Sequence, residues 1–243
     1  MNTNQLLSIV MPAYNEGEHI CKNLLTTAHE IEQFYPNFEI IAVNDGSTDN
    51  TLEQLLLAHE KDARIKIATY KENRGKGGAI CVGVSKASGY YIAFLDADLD
   101  LSPLHLRKFM LVMQRQNADI VIGSKLHKDS QLNYPLKRRI FSIGYYLLLR
   151  MLFHLKIKDT QTGVKLFRGD ALRQIIPQLK TLGYAYDIEL LLRATRAGFS
   201  IIEMPIKLVF SRTGVEGPAR IQLSDILKTF IDTIKIYITI KKS

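Results

Sequence analysis

The sequence predicts an α/β fold: an open, mostly parallel twisted sheet flanked by helices, with a Rossmann-like first half. Two observations predict it. Short β-branched or apolar runs alternate with longer segments of helical periodicity, which is typical of consecutive β-α units. Four successive runs also end in polar or glycine-rich sequence. In an open α/β sheet the ligand crevice lies beyond the carboxyl ends of the strands, so a binding site is expected there.

Five strands and four helices follow from this alternation. The strands are predicted at residues 6–11, 38–43, 64–70, 90–95 and 118–123. The helices between them are predicted to start near Gly17, Asp49, Lys76 and Ser102. Asp49 and Ser102 suit N-cap positions because their side-chain oxygens can accept a free backbone N–H, and Pro103 suits the first helical position. The regular alternation ends near residue 125.

Two apolar segments beyond residue 125 are predicted to be helices. Residues 138–155 would be apolar around most of the circumference, between basic ends. Residues 222–240 carry an apolar stripe that includes Ile231 and Ile234, opposed by charged side chains such as Lys235. Such helices either lie against lipid or pack on the sheet or on a second subunit, and the sequence leaves both open.

Composition excludes several classes of protein. With 243 residues, 47% of them hydrophobic, the chain can form one large domain with a substantial core. Its two cysteines, Cys21 and Cys81, have neither disulfide-framework nor zinc-site spacing. The opening residues lack the pattern of a signal peptide, and no apolar stretch reaches the roughly 20 residues that span a bilayer. A cytoplasmic protein that does not cross a membrane by itself is therefore expected.

The net charge of +8 predicts an anionic partner. Basic residues concentrate in residues 125–173 and at the C-terminus. Nucleic acid, an anionic membrane surface and phosphate-bearing substrates would all satisfy this charge. The sequence contains no recognisable base-stacking motif, so nucleic acid is not expected as the partner.

An acidic triplet follows the fourth predicted strand. Asp96, Asp98 and Asp100 are two residues apart, so on an extended chain they would point the same way and repel one another unless a cation lay among them. Mg²⁺ and Mn²⁺ prefer such oxygen ligands, and either ion can also bridge the two phosphates of a nucleoside diphosphate. The glycine cluster at residues 75–78 fits neither the G-x-G-x-x-G nor the P-loop spacing.

Taken together, the four loops resemble glycosyltransferase family 2, the inverting enzymes of GT-A type. Within that family they are similar to the dolichyl- or polyprenyl-phosphate hexose synthases. The matching motifs are Pro-x-Tyr-Asn-Glu at 12–16, Asn-Asp-Gly-Ser-x-Asp at 44–49, Gly-Lys-Gly-x-Ala at 75–79 and Asp-x-Asp at 96–98. The resemblance implies a GT-A fold, a nucleotide-sugar donor and an Mg²⁺ or Mn²⁺ cofactor.

The resemblance also implies roles on the donor side. Asp98 would be the principal metal ligand and a catalytic residue, and Asp100, where this branch often has Gln, would be the second ligand. The residues expected to bind the nucleotide sugar are Pro12, Tyr14, Glu16, Asp45, Lys76, Asp96, Ala97 and Arg212. The first three would hold the base and ribose, Asp45 would contact the base, and Asp96 would anchor the nucleotide.

The second half of the chain indicates the acceptor. It lacks the Gln-x-x-Arg-Trp motif of processive synthases, and the chain has no Trp. By resemblance, Arg138 and Ser142 would bind a lipid phosphate together with Lys125, which stands where the branch usually has Arg. Arg138 would also act as a catalytic residue through its charge. A phosphate acceptor is already anionic, so no general base is needed; a hydroxyl acceptor would need one, and Asp159 or Asp187 would be the candidates.

The sequence and the resemblance together therefore predict a hexosyltransferase that acts on a polyprenyl phosphate at the cytoplasmic face of a membrane. Inversion at the anomeric carbon is implied by the resemblance alone. Residues 1–125 would bind the nucleotide sugar, 126–220 the acceptor, and 221–243 would form a C-terminal amphipathic helix. UDP-glucose is favoured as the donor, with GDP-mannose close behind. Transfer to a saccharide hydroxyl and a non-catalytic nucleotide-binding module are the alternatives. A membrane-embedded partner protein or a homo-oligomer is compatible with the apolar segments.

Overall fold

A computed structural model describes residues 3–132, 136–153, 155–183, 185–208 and 231–238, with the backbone alone for residues 136–143. The strands are β1 (Leu7–Ala13), β2 (Phe38–Asp45), β3 (Ile65–Tyr70), β4 (Tyr91–Phe94), β5 (Ile120–Ser124), β6 (Gln131–Leu132), β7 (Lys165–Arg168), β8 (Ile201–Pro205) and β9 (Lys207–Leu208). The helices are α1 (Ile20–Glu32), α2 (Thr51–Lys61), α3 (Gly75–Lys86), α4 (His105–Gln116), α5 (Leu136–Phe153), α6 (Gly169–Ile175) and α7 (Tyr186–Arg196). A 3₁₀ turn spans Ile176–Gln178, and residues 231–238 are helical.

Seven strands form one sheet in the order β3-β2-β1-β4-β7-β5-β8. Every pairing in this sheet is parallel except those of β7, which runs antiparallel to both β4 and β5. The predicted open, mostly parallel sheet is confirmed. Since β7 and β8 come from the second half of the chain, both halves build the same sheet.

The five predicted strands and four predicted helices are all present, with ends displaced by up to three residues. Two details of the predicted helix starts are wrong. Helix α4 begins at His105, so Pro103 lies in the preceding turn and Ser102 is not the N-cap. The Asp49 carboxylate does accept the Thr51 N–H at 3.0 Å, but Asn50 occupies the N-cap position of α2.

The central strands are buried on both faces, which explains why they are nearly continuous apolar runs. On one face Leu7, Ile9 and Met11 pack with side chains of α1, α2 and α4. On the other face Val10 and Ile92 pack with α3, α6 and α7. The sheet is thus the middle layer of three, and polar side chains lie at the ends of its strands.

Residues 231–238 pack on α5. The Tyr145 and Thr233 hydroxyls are 2.8 Å apart, and the rings of Phe153 and Tyr237 meet edge to face with centroids 5.6 Å apart. Ile236 is 3% exposed and joins the same core layer as Leu149. Both described segments therefore pack on the domain through one face.

The opposite faces of the two helices remain exposed. The exposed apolar side chains are Leu147, Met151, Ile231, Ile234 and Ile238. We call these five residues the apolar strip. None of the helices in the described ranges combines the length and hydropathy that a bilayer crossing requires.

A buried carboxylate, Glu39, lies at the amino end of strand β2. Glu39 is 3% exposed and accepts hydrogen bonds from the hydroxyls of Ser8 and Ser88, at 2.5 and 3.0 Å, and from the Lys66 ammonium at 2.5 Å. Burial alone would raise the pKa of Glu39, but Lys66 and the serine donors outweigh burial and lower it. Its contribution to stability is therefore present above the ordinary carboxyl pKa and is lost as the pH falls through the lowered value.

Candidate active site

The loops after β1 and β2 are joined by hydrogen bonds from backbone N–H groups of the first loop to side-chain oxygens of the second. The N–H groups of Asn15 and Glu16 donate to the hydroxyls of Ser47 and Thr51, at 3.0 and 2.8 Å. Gly17 N–H donates to the Asp49 carboxylate at 3.1 Å, and a Cβ at Gly17 would overlap the side chain of Asn50. The two motifs recognised in the sequence therefore form one rigid unit.

This unit presents the first predicted donor residues. Pro12 is the sixth residue of β1 and pairs with Val43, so its ring is fixed by the sheet. Tyr14 follows β1 and is 48% exposed, while Glu16 is half-buried. An exposed tyrosine on a rigid loop can stack on a flat ring without reorganising the protein.

Asp45 lies at the carboxyl end of β2 and organises the chain that leads to α3. Its carboxylate accepts the Tyr70 hydroxyl at 2.6 Å, the Arg74 N–H at 2.8 Å and the Asn73 amide at 3.2 Å. Burial, followed by the Asp45 hydrogen bond, raises the pKa of the Tyr70 hydroxyl, which stays neutral. The guanidinium carbon of Arg74 lies 4.6 Å from the centre of the Tyr70 ring. Asp45 thus has a structural role besides the predicted contact with the base.

The glycine cluster permits a close backbone approach. A Cβ at Gly75 or Gly77 would lie 2.8 Å from the Leu182 carbonyl oxygen, and that oxygen accepts the Gly78 N–H at 3.2 Å. Gly75 also has a φ of +78°, in the region that favours glycine. These glycines let the chain around Leu182 pack on the first turn of α3.

Lys76, on the same first turn of α3, forms an ion pair with Asp96. Its Nζ lies 2.5 Å from Oδ1 of Asp96. Burial would raise the pKa of Asp96, but Lys76, Lys165 and Lys125 together lower it, so this carboxyl is ionised at neutral pH. The structure therefore joins two residues that the sequence assigned separately to the donor site.

The acidic triplet lies on a turn, so the extended backbone assumed from the sequence is not present. Strand β4 ends at Phe94, and Leu99 has a φ of +55°. The Asp100 N–H donates to Oδ1 of Asp98 at 3.1 Å. The prediction that the three carboxylates point the same way is therefore wrong, because it assumed that residues 96–100 continue the strand.

The turn is fixed from the side of α1, since the Asn23 amide donates to the carbonyl of the buried Ala97 at 2.8 Å. Asp98 and Asp100 are half-buried and offer only oxygen donors, which fits Mg²⁺ or Mn²⁺ and not a softer metal. No group of three or more His, Cys, Asp or Glu side chains in the described ranges could hold a metal by itself. Further oxygen ligands would have to come from a bound diphosphate or from water.

Asp159 and Lys125 meet on the other side of the site. Oδ2 of Asp159 accepts the Lys125 N–H at 2.7 Å and the Thr162 hydroxyl at 2.6 Å, and it lies 3.4 Å from the Lys125 ammonium. Asp187, the other candidate base, is 4% exposed and paired with Lys165 at 2.6 Å. Each candidate base is therefore neutralised by a lysine.

The remaining predicted residues are described only in part. Arg138 and Ser142 lie in α5, where the backbone alone is described. Arg212 lies outside the described residues. The other donor-side residues and Lys125 lie at the carboxyl ends of the strands, while the placement of these three side chains stays a prediction.

An α/β sheet that gathers ionic side chains beyond the carboxyl ends of its strands is typical of proteins that bind a charged ligand in that crevice. The family model described as "Glycosyl transferase family 2" matches residues 8–176, more than half of the chain, and the chain belongs to this family. The protein is thus a glycosyltransferase, as the loops indicated.

Known relatives agree with this assignment. The chain is 32% identical over 242 residues to a dolichyl-phosphate beta-glucosyltransferase, ALG5A, of Trichomonas vaginalis, covering 96% of this chain and 73% of that protein. It is 31% identical over 202 residues to glycosyltransferase AglD of Haloferax volcanii, covering 82% of this chain but only 32% of that protein. The chain therefore spans about a third of the length of AglD.

Solved structures support the fold. Glucosyl-3-phosphoglycerate synthase of Mycobacterium tuberculosis, in complex with Mn²⁺, UDP and phosphoglyceric acid, superposes with a TM-score of 0.73. The alignment covers 97% of this chain and 78% of that chain at 18% identity. At this identity the likeness concerns the fold alone, and the predicted GT-A fold is confirmed.

Proposed function

We propose that the protein transfers a hexose from a nucleotide sugar to a polyprenyl phosphate, with inversion at the anomeric carbon. The state of the two candidate bases carries this proposal. Asp159 and Asp187 are each paired with a lysine, so an acceptor hydroxyl would find no free base at either carboxylate. A phosphate oxygen is already anionic and needs only alignment and electrostatic support. The name of the Trichomonas relative, a dolichyl-phosphate glucosyltransferase, supports the same acceptor.

On the donor side, the base and ribose would be held by Pro12, Tyr14 and Glu16 on the interlocked loops, with Asp45 beside the base. Asp96 would anchor the nucleotide from its position against Lys76. Lys76 brings a positive charge to the same edge of the sheet, where a diphosphate would need one. Ala97 would contribute through its position in the turn, and Arg212, which lies outside the described residues, would also bind the nucleotide sugar.

A divalent cation would be held by Asp98 and Asp100. When bound, Mg²⁺ or Mn²⁺ supplies Lewis-acid stabilisation of the departing diphosphate. The carboxylate-only donor set of the turn suits either ion. The Mn²⁺ and UDP in the complex of the mycobacterial synthase support this proposal.

On the acceptor side, Lys125 would bind the lipid phosphate together with Arg138 and Ser142. Asp159 holds the Lys125 backbone and lies near its ammonium, so the lysine is positioned before the acceptor arrives. The phosphate oxygen would then attack the anomeric carbon on the face opposite the leaving diphosphate. Displacement from that face gives inversion.

The donor is proposed to be UDP-glucose, with GDP-mannose as the alternative. The Asp-Thr-Gln-Thr-Gly-Val-Lys sequence at 159–165 resembles the glucose-type synthases, and the Trichomonas relative is named a glucosyltransferase. The test is a panel of labelled UDP- and GDP-sugars, incubated with the protein, Mn²⁺ or Mg²⁺, and a short polyprenyl phosphate.

In that panel we expect label from UDP-glucose to enter an organic-extractable product that releases glucose in mild acid. A lipid product that resists mild acid would instead indicate a glycoside, and so a hydroxyl acceptor. Nucleotide binding without turnover of any donor would indicate a non-catalytic module.

We also propose that the protein binds the cytoplasmic face of a membrane through the apolar strip. The strip stands beside Lys235 and Arg150, so apolar contact and attraction to anionic lipid would act together. A polyprenyl phosphate presents its headgroup at such a surface. A membrane-embedded partner protein or a second copy of the chain would be the other ways to cover this strip.

Replacing Met151 with aspartate should reduce binding to vesicles of phosphatidylcholine and phosphatidylglycerol about tenfold, because the 69% exposed side chain would no longer enter the bilayer interface. Co-sedimentation measures this binding. Leu56→Asp is the matched control, since Leu56 is 49% exposed on α2, which packs on the other face of the sheet. Equal binding by both variants would contradict the proposed surface.

A further inference from the structure

Lys165 and Asp187 form an ion pair in the interior, and the proposed function gives neither residue a part in binding or transfer. Lys165 lies on β7 and is 1% exposed, and Asp187 lies in the first turn of α7 and is 4% exposed. Their Nζ and Oδ1 atoms are 2.6 Å apart. The same ammonium donates to the Thr162 carbonyl oxygen at 2.5 Å. The pair is thus bonded directly to the backbone of the segment that precedes β7.

That segment, residues 159–163, contacts both sides of the site. At its start the Asp159 carboxylate accepts the Lys125 N–H, and at its end Gly163 lies against Asp96. A Cβ at Gly163 would lie 2.5 Å from Cγ of Asp96. The segment therefore connects the donor-side carboxylate with the acceptor-side lysine. We call residues 159–163 the bridging segment.

A buried ion pair of this kind is a costly way to stabilise a fold. The desolvation of two charges commonly cancels their attraction, and apolar side chains of similar volume often serve equally well. Polar contact with the Thr162 carbonyl, in contrast, requires a donor at this position. A role in holding the bridging segment therefore explains this buried ion pair better than a role in core packing does.

We propose that Lys165 and Asp187 are positioning residues, which hold the bridging segment and so set Asp96 relative to Lys125. Asp187 orients the ammonium, and the ammonium fixes the Thr162 carbonyl beside Gly163. Neither residue would touch a substrate. This inference rests on the proposed function, in which Asp96 binds the nucleotide sugar and Lys125 binds the acceptor phosphate.

Lys165→Met tests the proposal, because methionine has a similar volume but cannot donate to Thr162. We expect kcat to fall about thirtyfold and the KM values of donor and acceptor both to rise, since small displacements of reacting groups have effects of this size. Glu39→Gln is the control, because it disturbs another carboxylate–lysine contact, in which the carboxylate is buried, at the amino ends of the strands. It should lower the unfolding temperature but leave kcat and both KM values within about twofold.

The double variant Lys165→Met with Asp187→Leu separates positioning from stability. Replacing the whole pair with apolar side chains should recover most of the unfolding temperature lost in Lys165→Met, without recovering kcat. Recovery of kcat together with stability would overturn the proposal. If Lys165→Met does not fold, Gly163→Ala serves instead: its methyl group would displace the Asp96 carboxylate, and it should weaken donor binding while the protein stays folded.

Binding of UDP in the presence of Mn²⁺, measured by titration calorimetry, distinguishes failure of this proposal from failure of the proposed function. Lys165→Met and Gly163→Ala should each weaken UDP binding about fivefold or more, and Glu39→Gln should not. If the wild type binds UDP but glycosylates no polyprenyl phosphate, the proposed acceptor is wrong. The UDP affinities of the variants still test the positioning role in that case. Unchanged affinity in both variants would overturn the positioning role whatever the acceptor is.

Discussion

Replacing Asp98 with asparagine is expected to reduce hexose transfer about a thousandfold, because a metal ion that neutralises a leaving diphosphate contributes several kcal/mol to the transition state. Asp98 is half-buried on the turn after β4, and its Oδ1 accepts the Asp100 N–H at 3.1 Å. Asparagine keeps one oxygen for that hydrogen bond, but it removes the charge and replaces the second carboxylate oxygen with an NH2 group. Initial rates at saturating donor, measured across a Mn²⁺ titration, check the prediction.

Asp129→Asn is the control for this substitution, since it also removes one carboxylate and its side chain is 63% exposed. It should leave the rate unchanged. The unfolding temperature of Asp98→Asn should stay close to that of the wild type, because the turn keeps its hydrogen bond. An Asp98→Asn rate above about a tenth of wild type would argue against a principal metal ligand at this position.

Lys125→Met should lower kcat/KM for polyprenyl phosphate about a hundredfold, since a charge-assisted contact to phosphate contributes roughly 1.5–3 kcal/mol. The Lys125 N–H would still donate to Asp159, so the backbone of the acceptor side stays in place. The KM for the nucleotide sugar should change little. This split between the two substrates is measured by varying each at saturating levels of the other.

Lys128→Met controls for the loss of one positive charge from the same basic region, because Lys128 is exposed three residues further on. It should lower kcat/KM for polyprenyl phosphate only slightly, and this effect should become smaller as salt is added. An equal loss in both variants would mean that general attraction, and not a defined phosphate contact, accounts for the effect. A change in the KM of the donor alone would place Lys125 on the donor side.

The first half of the fold was predictable because its signal is local. Each strand from β1 to β5 is a short β-branched or apolar run, and the strands buried on both faces can be recognised without knowing their partners. Strand β7 was not predicted, since it has four residues and follows a polar motif that reads as a loop. Its insertion between β4 and β5 depends on antiparallel pairing with residues far away in the chain. Strand β8, which has five residues and pairs in parallel with β5, was not predicted either.

The acidic triplet shows where a local rule failed. Spacing by two residues predicts a common direction only if the chain is extended, and the left-handed conformation of Leu99 replaces the strand with a turn. Leucine rarely adopts a left-handed conformation, so nothing in the sequence indicated this turn. The turn is held from outside by Asn23 of α1, 74 residues from its bonding partner Ala97.

By itself, the sequence determined which chemical groups stand at the carboxyl ends of the strands, because strand and loop alternate with a period that local apolar patterning reveals. Only the tertiary structure decided which charges meet. Lys76 pairs with Asp96, Lys125 with Asp159 and Lys165 with Asp187, across separations of 20, 34 and 22 residues. Ion pairing depends on distances of a few ångströms in space, and at such separations these distances are set by how the elements pack and not by any pattern along the chain.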